Sequence, residues 1–368
     1  MKKSSHSLLW QKLLTQGLVT GEEPEFNDDT APWYVRTMLG IAGWVGAILL
    51  LGALFGGFAL LTDSAVVAGM LGAGACLVAV IIYRATHHND FAKQFAFAVS
   101  LAGQALLVYS ILKGLNLFQD TEAFISRVRQ VAMVLVVLQT ILFLVVPNIL
   151  HRTWSALIGV GAAVFLLNQY GLYPFTLAIT LAAGTMLWLQ EFHWAKYGEM
   201  LRALGYSLII VSISHLLTQN HFWDDGRFWQ NVFGIQSLGG AVGEWLASLC
   251  LGVILIALVF VLLKRGEIAL GGSISIASLV LAVLVTLIGL QAPGITVGIV
   301  VVLLGYSRGN TILTGLGLVT LVVFISQFYY LLHLTLLQKS ILLFGSGLVL
   351  LAVRQVLKHF WPKGAADA

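Results

Sequence analysis

Charge is scarce in this chain. Lysine and arginine number 20 and aspartate and glutamate 16 among 368 residues, so charged residues make up 10%, against about 25% in soluble globular domains. That shortage excludes a large water-soluble core. Cysteine is nearly absent as well. Cys76 and Cys250 support neither a disulfide framework nor a thiolate metal site, and each sits inside an apolar run as a small filler. The six prolines avoid the apolar runs. Pro32, Pro147, Pro174 and Pro293 mark run ends, and Pro24 and Pro362 lie outside, so none interrupts a helix interior. Catalytic signatures are missing too. There is no HExxH, GxSxG or CxxC, and no glycine-rich stretch precedes a Lys-Ser/Thr pair. No cofactor is therefore expected. The net charge is +4 and the pI about 9.0, but the basic residues stand singly at run ends, which argues against a nucleic-acid partner.

What the chain has in excess is apolar sequence: 59% hydrophobic residues and a mean hydropathy of +0.92. Runs of about 18 or more apolar residues recur along it, the signature of membrane helices. Spans are expected at about 38–61, 65–83, 94–115, 130–147, 154–171 and 174–190, then 202–218, 241–263, 269–290, 293–307, 311–332 and 335–357. The fold class is thus an all-α polytopic transmembrane bundle of about twelve spans. Residues 1–36 form a cytoplasmic segment, 37–358 the helical domain and 359–368 a cytoplasmic tail. The lipid bilayer is its first partner. The tenth segment is short enough to be re-entrant.

Both termini are expected in the cytoplasm. That orientation leaves only Lys113, Arg127, Arg129, Arg227 and Lys339 of the 20 basic residues outside, as the positive-inside rule prefers. Trp33, Tyr34, Trp154, Trp188, Trp194 and Trp361 fall near span ends, as an aromatic belt would. Residues 7–19 gather Leu9, Trp10, Leu13, Leu14 and Leu18 towards one side of a short helix, which reads as interfacial or as a docking surface for an envelope protein partner. Gly52 and Gly56, and Gly294 and Gly298, form GxxxG pairs that let helix backbones approach closely.

Polar residues inside apolar runs carry the functional signal, because such groups usually face the protein interior and have partners. Lys339 lies just inside the last run and Glu244 near the start of the eighth. His215, His333, Gln104, Gln139, Asn168 and Gln327 complete the set. One reading is an outward polar cavity in which Lys339 holds an anionic group. The other is that Lys339 snorkels to the headgroups or pairs with Glu244. A cavity requires Lys339, Tyr330 and at least one of Glu244, His215 and His333 to meet. His87, His88, His151 and His193 read as solvated residues at loops and helix ends. His221, Asp224 and Asp225 share the longest external loop and offer three metal-capable groups, although a polar loop cap explains them as well.

PWYVR at Pro32–Arg36, together with Phe328-Tyr329-Tyr330, Thr335-Leu336-Leu337, Lys339-Ser340 and the later Gly347, Leu350, Leu351 and Arg354, resembles a bacterial membrane family described as domain of unknown function 4401. The segment WQKLLTQGLVTGEE from Trp10 is similar to the opening of domain of unknown function 2157. The resemblance implies a multi-pass protein of the bacterial cytoplasmic (inner) membrane and brings no activity with it. It draws attention to Tyr329, Tyr330, Thr335, Lys339 and Ser340 as one unit. Three functions follow: a transporter or lipid- or small-anion-handling protein, a structural or assembly component of an envelope complex, and, ranked last, an enzyme acting on lipid-linked substrates through His221, Asp224 and Asp225.

Overall fold

The computed structural model describes residues 10–17, 19–21, 33–58, 64–85, 89–115, 124–190, 196–219, 240–269 and 271–331, and then 337, 338, 340, 341, 344, 347, 348, 351 and 355. Among these residues the fold is helical and holds no strand. Residues 10–15 are helical, within the short helix expected at 7–19. The long helices are α1 (Trp33–Phe58), α2 (Ala65–Ala85), α3 (Asp90–Gly114), α4 (Phe124–Val145), α5 (Ile149–Gln169) and α6 (Tyr173–Gln190). They continue with α7 (Gly198–Gln219), α8 (Gly240–Arg265), α9 (Ser273–Gly289), α10 (Pro293–Ser307) and α11 (Thr311–Leu331). Each of the first eleven expected spans holds one of these helices. The twelfth falls largely outside the described residues.

Six segments are long and apolar enough to cross a membrane: Ala65–Ala85, Asp90–Gly114, Phe124–Val145, Ile149–Gln169, Gly198–Leu217 and Val242–Arg265. Four shorter ones, Thr37–Leu49, Ser273–Gly289, Pro293–Ser307 and Thr311–Gln327, are apolar as well. Their outward faces are no more polar than their inward ones: Met38, Val66, Leu77, Ile141, Val253 and Val322 are all exposed. A helix that is apolar all round needs a hydrocarbon surrounding.

Helix ends follow local chemistry. Asn148 caps α5, its side chain accepting from the His151 amide at 3.0 Å. Gly171, at φ 82°, turns the chain out of α5, and the Leu172 amide reaches back to the Leu167 carbonyl. Pro293 opens α10. Gly309, at φ 60°, reverses the chain after α10, and Asn310 then caps α11 by accepting from the Leu313 amide at 3.1 Å.

The chain divides into two compact units. The first comprises residues 1–61 and 74–103. There Gly43 lies against the Phe91 carbonyl, which a Cβ would approach to 2.8 Å. The Trp44 indole donates to Gln94 Oε1 at 3.2 Å and meets Phe97 edge-on. Cys76 is buried against the Ser100 carbonyl.

The second unit comprises residues 62–73 and 104–368. Its apolar core runs through Leu181 on α6, Ile209 on α7, Leu251, Leu255 and Leu258 on α8, and Val297, Val300 and Leu304 on α10. The α10–α11 pair is knit by glycine. Gly294 meets Phe324, Gly298 meets Leu321, Gly317 meets Val302, and Gly305 meets Thr314. Steps of three or four residues up one helix match equal steps down the other, so the helices run antiparallel along a single seam. The expected Gly294/Gly298 pair thus makes a close contact. Gly52, by contrast, has nothing among the described residues within 4 Å of where its Cβ would stand.

Candidate functional site

The helix α6 is unlike its neighbours. Three threonines, Tyr173 and Gln190 dilute its apolar character, and it is not among the segments apolar enough to cross a membrane unaided. Ten of its 18 residues are buried, from Tyr173 and Pro174 through to Trp188. A helix enclosed by protein can carry polar side chains, provided that they are hydrogen-bonded.

Its partner in this is α7. The two run antiparallel with contacts at Thr176 and His215, Thr180 and Ser212, Gly184 and Ile209, and Trp188 and Gly205. One half of this seam is polar and the other is tightly packed. Thr176 Oγ1 lies 3.0 Å from His215 Nε2 and 3.0 Å from the Tyr173 carbonyl. Its single proton goes to one of them. With the proton on the carbonyl, His215 Nε2–H donates to the hydroxyl; with the other tautomer the hydroxyl donates to the ring. The Tyr173 ring meets the His215 ring edge-on at 5.2 Å. One turn deeper, Ser212 Oγ donates to Thr180 Oγ1 at 2.8 Å or to the Leu208 carbonyl at 2.8 Å. Thr180 in turn bonds back to the Thr176 carbonyl at 2.9 Å.

Towards the other end of α6 the seam changes. Trp188 is 2% exposed and stacks edge-on against Tyr206, whose hydroxyl accepts from Asn310 Nδ2 at 2.6 Å. Among the described residues Trp188 Nε1 and Thr185 Oγ1 are buried without a hydrogen-bond partner. This corrects the belt assignment for Trp188. It sits at a helix end, yet it faces the bundle, because Gly205 leaves room for the indole.

A second buried polar pair joins α3 and α4. Gln139, 1% exposed, donates to Gln104 Oε1 at 2.8 Å. His151 also departs from expectation. It is fully buried, with Ser155 Oγ 3.3 Å from its Nδ1. Its height at the helix end suggested water, but its angle around α5 turns it inward.

The ends of the helices can be placed against α6. Arg265 at the end of α8 and Arg308 at the end of α10 both donate to the Leu189 carbonyl in the last turn of α6. The C-termini of α6, α8 and α10 therefore share one end of this unit. Because α11 returns antiparallel to α10, Tyr329 lies at the opposite end, with Tyr173, His215 and, near the start of α8, Glu244. Of the expected site residues, His215 is buried, Tyr329 half-buried, and Glu244 and Ser340 are exposed. Lys339, Thr335 and His333, the Tyr330 side chain, and the loop with His221, Asp224 and Asp225 lie outside the described residues.

The partners that His215 does have, Thr176 and Tyr173, were not picked out from sequence. Their signal was present: polar residues at 173, 176 and 180 and at 212 and 215 recur at helical spacing, so each set lines one face.

The family model for Domain of unknown function (DUF4401) matches residues 32–360, and the chain belongs to that family. The matched region contains α1 to α11, and the short helical stretch at residues 10–15 lies before it. No curated protein and no solved structure matches the chain.

Proposed function

We propose that this member of the family is an inner-membrane protein of about twelve spans, with cytoplasmic termini, that binds and moves a lipid or small anion. The polar cavity of this reading opens outward, at the end of the unit that carries His215, Tyr173, Tyr329 and Glu244. Lys339, Tyr330, Thr335, Ser340 and His333 complete its wall, with Lys339 as the countercharge. The observation that carries this reading is the enclosure of an ionisable side chain, His215, in a polar seam between the buried helix α6 and the membrane-type helix α7. Such groups are costly in a bilayer and characteristically lie on substrate or proton pathways.

A second reading has a specific observation in its favour. Three of the seam hydroxyls already have protein partners: Thr176 with His215, and Thr180 and Ser212 with each other. Polar residues paired in this way serve as fasteners between helices. The protein would then be a structural or assembly component of an envelope complex.

Native mass spectrometry of the full chain, extracted in its own lipids, separates the two. The handling reading expects a discrete anionic ligand on the wild type that Lys339→Met loses while remaining folded. Identical bulk lipids on both forms, or the same retained protein partner, would sink that reading and leave the structural one.

A further inference from the structure

The two halves of the α6–α7 seam differ in what parting them would do. At the His215 end Thr176, Thr180 and Ser212 have protein partners, so separation there only exchanges one set of hydrogen bonds for another with water. At the other end two polar groups are held dry. Thr185 is 6% exposed and Trp188 2%, and among the described residues neither Thr185 Oγ1 nor Trp188 Nε1 has a hydrogen-bond partner. The indole N–H is fixed in its ring and cannot turn towards an acceptor. It lies against Gly205, where a Cβ would stand 2.8 Å from it. Burial without a partner forfeits the bonds these groups make to water, and any motion that admits water restores them.

What holds this end shut is a short set of ties between helix ends. The Trp188 ring meets Tyr206 of α7 edge-on at 4.9 Å. The Tyr206 hydroxyl accepts from Asn310 Nδ2, in the turn before α11, at 2.6 Å. Arg265 at the end of α8 and Arg308 at the end of α10 donate to the Leu189 carbonyl. Ile209 of α7, fully buried against Gly184, lies between this level and the paired hydroxyls. A protein that alternates the access to a central cavity must keep one end closed and be able to release it. A closed end with unmet polar groups lies nearer in free energy to its open form than a fully paired one, so a small differential contact suffices to shift the population.

We propose that Trp188, seated at Gly205 and latched by the Tyr206–Asn310 bond, is a gate that closes the end of α6 opposite His215. The gate rests on the handling reading, since a purely structural bundle has no need to open there.

The test uses the full chain in dodecyl maltoside, with Cys76 and Cys250 replaced by alanine and Thr185→Cys as the reporter of opening. Its rate of reaction with a small water-soluble maleimide is followed. Tyr206→Phe removes the latch hydroxyl and keeps the ring, and should speed the reaction about two- to tenfold, as the loss of one hydrogen bond would. Gln139→Leu, which breaks a buried bond between α3 and α4, should leave the rate unchanged. No reaction with or without Tyr206→Phe, or equal rates in the two, would overturn the gate. So would an equal rise in Gln139→Leu, which would mean general loosening. Should Thr185→Cys not fold, Thr185→Val reads the same feature: losing an unmet hydroxyl at nearly constant shape should raise the unfolding temperature, and a fall would overturn the proposal. Native mass spectrometry keeps the two readings apart. A bound anion that Lys339→Met loses, with no effect of Tyr206→Phe, sinks the gate alone. A latch-dependent rate with no anion on the wild type sinks the handling reading and leaves an end that opens.

Discussion

At the scale of single residues, the polar half of the seam between α6 and α7 is a set of small exchanges in which Thr176, Thr180 and Ser212 each have somewhere to give a proton. Thr176 and Thr180 bond back to backbone carbonyls of their own helix, a common habit of threonine in apolar helices. This leaves their oxygens to accept from α7. The interhelical share of the energy is then modest. A double-mutant cycle on Thr176→Val and His215→Phe should give a coupling of about 0.6 kcal/mol and no more than about 1.7, read from unfolding in mixed micelles. A coupling indistinguishable from zero would mean that the 3.0 Å contact contributes nothing. His215 was legible as a polar residue in an apolar run. Trp188 and His151 were misjudged because sequence position gives height along a helix, whereas burial depends on the angle around it. Both are near helix ends and both face inward.

At the scale of elements, the approximate places of α1 to α11 could be read from apolar runs, because a helix in hydrocarbon must satisfy its own backbone, although α1, α3, α4 and α5 begin four to six residues before the apolar runs do. Which faces meet could not. Glycine spacing marks a small face but does not say whether another helix covers it, as the contrast between Gly298 and Gly52 illustrates. The α10–α11 hairpin offers a controlled comparison. Gly315 and Gly317 stand two residues apart on α11, so they point in different directions. A Cβ at Gly317 would come within 2.6 Å of the Val302 amide nitrogen on α10, whereas at Gly315 nothing described lies within 4 Å. Backbone cannot step aside as a side chain can. Gly317→Ala should therefore destabilise by about 1–3 kcal/mol, the usual cost of overpacking. Gly315→Ala should be neutral or stabilise by up to about 1 kcal/mol through helix propensity. Thermal unfolding of the two variants side by side checks this, and equal effects would show that the hairpin is looser than drawn.

At the scale of the whole molecule, charge and helix direction point the same way. The end of α6 that receives Arg265 and Arg308 also carries Lys196, Arg202 and Lys264, near the connections flanking α7 and α9. Arg152, at the start of α5, donates to the Phe143 carbonyl in the last turn of α4 and pairs with Glu199 at 3.4 Å. Arginines thus settle where helices end, since the carbonyls there lack intrahelical donors. In the orientation proposed above from the positive-inside rule, this is the cytoplasmic face. Tyr197, just before α7, and Gln291, between α9 and α10, are both exposed and fall at opposite ends of the unit, with α7, α8 and α9 between them. In a background with Cys76 and Cys250 replaced by alanine, Gln291→Cys should react with a membrane-impermeant maleimide from outside intact cells. Tyr197→Cys should react only once the inner face is opened. The reverse pattern would turn the chain over and place Arg265 and Arg308 at the outer face. Reaction of both from one side would remove a crossing between them, and with it the twelve-span alternation on which the outward cavity depends.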